Sequence, residues 1–124
     1  MILGVGLDVV HVERLRRWYE IDGLLRRFFH PSELDAALAR GEAGVLSLAA
    51  RFAAKEAFGK ALGAGLRGFS LREIAVMNEP TGKPVMHLRG RALQALKAMG
   101  GKRVFVSLTH EPAYALAVVV VEGD

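Results

Sequence analysis

Two isolated carboxylates are the residues of this chain best suited to chemistry. Over Val45 to Leu62, at 3.6 residues per turn, Val45, Leu48, Ala49, Phe52 and Gly59 fall on one arc, and Glu56 lies inside it. An unpaired charge in such a stripe costs on the order of several kcal/mol, so the position calls for a cation, a metal or a proton-transfer task. Asp8 sits in an alternating strand, on a face that Gly4 and Gly6 leave hollow, with room for something to approach its carboxylate. If the two acids converge they form an oxygen-only site suited to Mg²⁺, which takes one or two carboxylates together with waters and substrate phosphates. Each also has an ordinary explanation: Asp8 as a turn acid closing a strand, and Glu56 as the partner of Lys60 one helical turn later. The two acids together, with the cations and glycines that accompany them, favour the metal.

Arg51, Lys55 and Lys60 ride on or beside the same helix, and Gly63, Gly65 and Gly68 follow it. Cations next to accessible backbone N–H groups are what a pyrophosphate needs, although each residue singly also fits a solvated helix flank and its C-cap. Asn78 to Pro84 is a rigid, proline-bounded turn that either reverses the chain or holds a base. Alternation in Val104 to His110 puts Ser107 and Thr109 on one strand face and His110 on the other, where the imidazole is a candidate phosphate ligand or an ordinary strand-end residue. Gly4-Val5-Gly6 lacks the third glycine of a dinucleotide fingerprint, and neither a Walker A sequence nor a nucleophile elbow is present. Arg14, Arg16, Arg17, Arg26 and Arg27, interleaved with Trp18, Tyr19, Phe28 and Phe29, form the densest basic patch. It suits RNA, an acidic helical protein, or simply a solvated face whose arginine stems cover the core.

The elements that must position these groups follow from periodicity. Met1 to Val10 reads as a core strand with Leu3, Val5, Leu7 and Val9 on one face and Ile2, Gly4, Gly6, Asp8 and Val10 on the other. Val12 to Tyr19 and Leu24 to Phe29 read as short basic helices separated at Asp22-Gly23, and Pro31 to about Arg40 as a third. Beyond the long helix come strands at Ile74 to Asn78 and Val85 to Leu88, a helix over Arg91 to Met99, and strands at Val104 to Thr109 and Tyr114 to Val121. The run Val118 to Val121 predicts a strand covered on both faces. Helices and strands mix without regular βαβ alternation, so the expected class is α+β, one compact domain over 1–124 with a small, largely antiparallel sheet packed with helices. The 124 residues suffice for a core, and the formal charge of +4 favours an anionic partner. No apolar run is long enough for a bilayer, no signal-peptide plan opens the sequence, and the absence of cysteine excludes disulfides and thiolate metal sites, which is most simply cytosolic.

Gly4-Val5-Gly6-Leu7-Asp8-Val9-Val10, Phe29-His30-Pro31-Ser32-Glu33-Leu34, Arg51-Phe52-Ala53-Ala54-Lys55-Glu56-Ala57, Asn78 to Pro84 and Ser107-Leu108-Thr109-His110 together resemble the small bacterial 4′-phosphopantetheinyl transferases of the holo-[acyl-carrier-protein] synthase family. The resemblance runs nearly end to end and in order. It implies transfer of the 4′-phosphopantetheine arm of coenzyme A to a serine of apo acyl carrier protein, with release of adenosine 3′,5′-bisphosphate, in the service of fatty acid biosynthesis. It also implies Asp8 and Glu56 as Mg²⁺ ligands and, with Lys60, as the catalytic set. The coenzyme A contacts it implies are Arg51, Lys60, Gly63, Gly65, Asn78, Gly82, Lys83, Pro84, Ser107, Thr109 and His110. Arg14, Arg17 and Arg26 are implied for the carrier protein, and a homotrimer with active sites between subunits for the assembly, without nucleic acid or membrane. Gly59, Ala64, Thr109 and His30 depart from the residues common in the family, each altering a hydroxyl in or near the cofactor region.

Overall fold

A very close backbone contact joins β1 (Ile2–His11) to the long helix α4 (Glu42–Leu62). A Cβ on Gly4 would stand 2.0 Å from the Ala61 carbonyl oxygen, and one on Gly6 1.8 Å from that of Ala57. Ala53, Ala57 and Ala61, spaced four apart on one helix face, are all buried, so strand backbone rests directly on helix backbone. The computed structural model describes residues 1–63 and 68–124. In chain order β1 is followed by α1 (Val12–Tyr19), α2 (Leu24–Phe28), α3 (Pro31–Leu38) and α4. After a 3₁₀ turn at Leu71–Glu73 come β2 (Ile74–Asn78), β3 (Pro84–Leu88), α5 (Gly90–Ala98), β4 (Arg103–His110) and β5 (Tyr114–Glu122). All strand pairs are antiparallel, in a three-stranded sheet of order β1-β5-β4 and a separate β2-β3 hairpin. This is the expected α+β class with small antiparallel sheets, every element lying within a few residues of its predicted range.

Local chemistry accounts for the boundaries. Gly23 at φ 76° separates α1 from α2, and Gly63 at φ 79° ends α4 in the left-handed conformation that only glycine adopts freely. His30 caps α3 with Pro31 following, its Nδ1 accepting from the Ser32 N–H at 3.2 Å while Glu33 reaches back to the His30 N–H at 3.0 Å. The core gathers beneath α4, where Phe29, Leu48, Phe58, Ile74 and Val119 are fully enclosed; each such large side chain contributes about 2 kcal/mol by leaving water.

Three expectations need correcting. A bulge between Ile2 and Gly4 reverses the alternation at the start of β1, so Leu3 packs on the core while Ile2 is exposed. Sheet coverage is one-sided in the single chain: Val119 and Val121 are buried, Val118 and Val120 only half so, and Val5, Leu7 and Val9 stand 58%, 61% and 57% exposed. Lys55, grouped above with the phosphate-binding cations, is wholly enclosed and ion-paired to Glu33 at 2.7 Å, with the Leu71 carbonyl at 3.0 Å and the Ile74 carbonyl also accepting. Burial pushes its ammonium below the usual lysine range and the adjacent carboxylate opposes that shift. Lys55 cannot reach a ligand in this position.

The glycine contact yields a direct prediction. Gly6→Ala, which drives a methyl group into the Ala57 carbonyl, is expected to destabilise the protein by about 3 kcal/mol. Gly23→Ala, at an open site with nothing within 4 Å of its Cβ, is expected to cost only about 1 kcal/mol. Urea denaturation of the two variants measures the difference.

Candidate active site

Because Gly4 and Gly6 bring β1 down onto α4, the next residue of that strand face, Asp8, meets the helix at Glu56 and Lys60. Lys60 Nζ donates to Asp8 Oδ1 at 2.9 Å and to the Leu7 carbonyl at 3.1 Å. The sequence offered Glu56 as the partner of Lys60; the lysine instead crosses to the strand, and none of the ion pairs among the described residues involves Glu56. The Glu56 carboxyl is pushed above the usual carboxylate range, first by burial and then by the charge of Asp8, with Arg14 and Lys60 opposing. The Lys60 ammonium thus pairs with Asp8 and leaves the Glu56 carboxyl without an ion-pair partner beside it among the described residues. The donor set of these two carboxylates is hard, oxygen-only and short of positive charge, which fits a single Mg²⁺ completed by waters and substrate phosphates. No cluster of three or more acids or histidines capable of caging a metal occurs among the described residues, so a metal here depends on such additional ligands.

The predicted nucleotide contacts gather elsewhere. Arg51, Asn78, Gly82, Pro84, Ser107 and His110 line one cavity of about 270 Å³ between α4, the β2–β3 turn and β4. Arg51 is fixed there by four hydrogen bonds: Nε to the Val76 carbonyl at 2.9 Å, Nη1 to Ser47 Oγ at 2.6 Å and the Ser47 carbonyl at 3.4 Å, and Nη2 to Asn78 Oδ1 at 3.1 Å. Ser47 and Arg40 also line the cavity and were not singled out from the sequence. Ser47 had a usable signal, standing one helical turn before Arg51; Arg40 had none. Thr109 does not line this cavity; it borders a neighbouring hollow with Val9, His110, Tyr114 and Leu116. Lys83 is exposed on the turn, Gly63 is exposed at the end of α4, and Gly65 lies outside the described residues.

Of the basic patch, Arg14 lies over the rings of Trp18 and Phe52, 5.2 and 5.1 Å from their centroids. Arg16 is held by Glu13 and Glu42, both at 2.9 Å. Arg17 is exposed, and Arg26 opens onto a separate groove of about 460 Å³ between α1, α2 and α3, far from both carboxylates in the fold. This larger groove is lined by Tyr19, Asp22, Arg26, Asp35 and Arg72 among apolar residues such as Leu25 and Leu34. Phe29, counted with the patch, is fully buried.

A family model described as the 4′-phosphopantetheinyl transferase superfamily matches residues 4–119. The chain belongs to the 4′-phosphopantetheinyl transferase superfamily. Within it, a holo-[acyl-carrier-protein] synthase of Treponema denticola is 54% identical over 99% of this chain and 100% of that protein. The crystal structure of the holo-[acyl-carrier-protein] synthase of Neisseria meningitidis matches with a TM-score of 0.88 at 38% identity, over 98% of this chain and 99% of that one. The Bacillus anthracis enzyme, solved in complex with CoA (3′,5′-ADP), matches with a TM-score of 0.83 at 30% identity, over 100% and 99% of the two chains. This phosphopantetheinyl transferase is therefore an enzyme of the holo-[acyl-carrier-protein] synthase type. No helix among its described residues is long and apolar enough to cross a membrane.

The raised Glu56 carboxyl gives a prediction with a fixed sign. Between the unfolded and folded pKa of this group the folded state holds more protons, so metal-free stability falls as pH rises through that window. Glu56→Gln is expected to raise the melting temperature in EDTA at neutral pH, with the gain vanishing below about pH 4, where the unfolded carboxyl is itself protonated. Thermal melts of the two proteins across pH test it.

Proposed function

We propose that this protein, one phosphopantetheinyl transferase domain over 1–124, moves the 4′-phosphopantetheine arm of coenzyme A onto a serine hydroxyl of apo acyl carrier protein. The serine hydroxyl gives up its proton to solvent as its oxygen forms a bond to the phosphorus that carries the pantetheine, the pyrophosphate bond breaks, and adenosine 3′,5′-bisphosphate leaves with the electron pair. The observation that carries the reading is the Glu56 carboxyl, unpaired among the described residues, beside the Asp8–Lys60 ion pair, on a chain related to holo-[acyl-carrier-protein] synthases along its whole length. Asp8 and Glu56 are the residues that would hold Mg²⁺, which when bound offsets charge on the leaving phosphate. Lys60, exposed beside Asp8, would meet a phosphate oxygen if Asp8 held the metal. The Arg51–Asn78 cavity, with Ser107 and His110 on its wall, is the proposed seat of the nucleotide end, a reading supported by the CoA (3′,5′-ADP) complex of the Bacillus anthracis relative. Arg14, exposed on α1 near Glu56, and Arg17, exposed on the same helix, are the proposed contacts for an acidic carrier protein, with Arg26 of α2 as a further one.

A homotrimer with the site between subunits is the proposed assembly, and three features of the single chain support a shared site. The acid pair lies at β1, one edge of the three-stranded sheet, whereas Ser107 and His110 lie at β4, the other edge. Arg51 and Glu56 are five residues apart on α4, about 140° around the helix axis, and so serve opposite flanks. The sheet face turned away from α4 presents Val5, Leu7, Val9, Phe105 and Tyr114, all exposed, a patch of the kind that association covers. Copies packed through that face would bring the acid pair of one to the nucleotide cavity of the next.

Mass spectrometry of apo carrier protein incubated with this enzyme and CoA is expected to show one added phosphopantetheine with Mg²⁺ and none with EDTA. Asp8→Ala and Glu56→Ala are each expected to lose at least about 100-fold in rate while remaining folded; full activity in both would remove the metal assignment. Leu7→Glu, which places a charge on the exposed sheet face, is expected to run as an inactive monomer in light scattering, and an active monomer would refute the shared site.

A further inference from the structure

We infer that the buried Glu33–Lys55 ion pair is a positioning device for the nucleotide end of the site, acting through the free edge of β2. The inference rests on the coenzyme A reading above. β2 pairs with β3 on one side only. The backbone bonds Arg89 N–H to Glu73 carbonyl and Glu79 N–H to Lys83 carbonyl continue that ladder at odd-numbered residues, which leaves Ile74, Val76 and Asn78 turned to the other edge. No strand among the described residues covers that edge. Its groups are taken up by side chains: Lys55 Nζ donates to the Ile74 carbonyl, the Val76 N–H donates to Glu33 Oε2 at 3.0 Å, and Arg51 Nε donates to the Val76 carbonyl at 2.9 Å. Val76 is therefore gripped on both its amide and its carbonyl, by two residues from different helices.

Of those two, only Arg51 lines the nucleotide cavity. Glu33 is 1% exposed and Lys55 fully buried, so neither touches anything that enters the cavity. Their reach extends through one peptide. Glu33 Oε1 accepts from both Lys55 Nζ at 2.7 Å and the His30 N–H at 3.0 Å, which ties the start of α3 to α4, while Oε2 holds Val76. With Val76 fixed, its carbonyl sets the plane of the Arg51 guanidinium, and Nη2 of that guanidinium holds Asn78 Oδ1 two residues further along the same edge. A strand edge bonded only to water would leave the Val76 carbonyl, and with it Arg51 and Asn78, without a fixed reference. A pair of opposite charges with no solvent access, satisfied by four backbone groups and by each other, is far more elaborate than a core of this size needs for burial alone, since apolar residues of similar volume stabilise at least as well.

The test replaces the pair by apolar residues of similar length, Glu33→Met with Lys55→Met, so that no buried charge is left unpaired; Glu33→Gln is run beside it. The readouts are KM for CoA, KM for the carrier protein and kcat, together with amide hydrogen exchange of residues 74–78. The expected result for the double variant is a protein that melts cooperatively, with faster exchange at Val76 and a KM for CoA raised roughly tenfold, while the carrier KM and kcat change less than about threefold. A folded double variant whose KM for CoA equals that of the native enzyme overturns the inference, as does one whose CoA and carrier KM values rise together. Should the double variant not fold, the same criteria are applied to Glu33→Gln. Native enzyme that neither binds nor consumes CoA would instead bring down the coenzyme A reading, and the hydrogen-exchange comparison separates the two: it reports the clamp on Val76 with no ligand present.

Discussion

The architecture depends on a backbone-to-backbone contact. Two glycines on β1 and an alanine stripe on α4 let strand and helix approach until a single methyl group would collide with a carbonyl oxygen. Ordinary helix–sheet packing, with large side chains between the layers, would separate Asp8 from Glu56 by several ångströms more. The acid pair is therefore a consequence of what is missing at positions 4 and 6 as much as of what is present at 8 and 56. The same contact explains why Lys60, which helix periodicity aligns with Glu56, finds Asp8 and the Leu7 carbonyl first: the strand is closer to its ammonium than the preceding turn of its own helix.

The electrostatics on the two flanks of α4 differ in kind. On the β1 flank the lysine pairs with Asp8, and Glu56 is left with a carboxyl raised first by burial and then by the charge of Asp8. On the β4 flank the arginine is fully engaged with neutral oxygens of Val76, Ser47 and Asn78, so its positive charge is oriented but not neutralised and remains available to an anion. One flank wants a cation and the other an anion. A metal–pyrophosphate ligand supplies both, but a ligand that spans them must meet the acid flank and the arginine flank on surfaces that a single chain directs apart. This is the physical reason for proposing that the site is completed by association through the exposed sheet face.

Much of this was legible in the sequence because the informative signals were local. Asp8 and Glu56 stood out as charges inside apolar patterns, and the glycines beside Asp8 indicated the close approach. Asn78 to Pro84 announced its turn through its prolines and Gly82. What escaped was set by tertiary contact. Lys55 has the same local setting as Lys60, a lysine next to alanines on one helix, yet one is enclosed and the other exposed; the difference is Glu33, which lies 22 residues away. The even–odd pattern of β1 divided the strand into two faces from Gly4 onward but could not say that the odd face stands exposed in the single chain, because an alternating strand covered by its own chain and one left uncovered read alike. The bulge at Ile2 was likewise silent, since nothing in Ile-Leu-Gly demands it.

Helix α4 ties these observations together by geometry. Its residues 47 and 51 face the β2 edge, 55 faces the interior, and 56 and 60 face β1, so a little over three turns carry the anion-seeking group, the buried pair and the cation-seeking group in fixed angular order. A rotation of that helix by one residue would move every one of these side chains about 100° and place Lys55 where Glu56 now stands. The glycine–alanine contact on one side and the Glu33–Lys55 pair on the other oppose such a rotation through different physics: steric exclusion at the strand, and charge satisfaction at the hairpin. Neither alone fixes both the rotation of the helix and the place of β2 beside it. Their combination does, which is a structural reason for this segment to spend a buried lysine where an apolar residue would fill the same space.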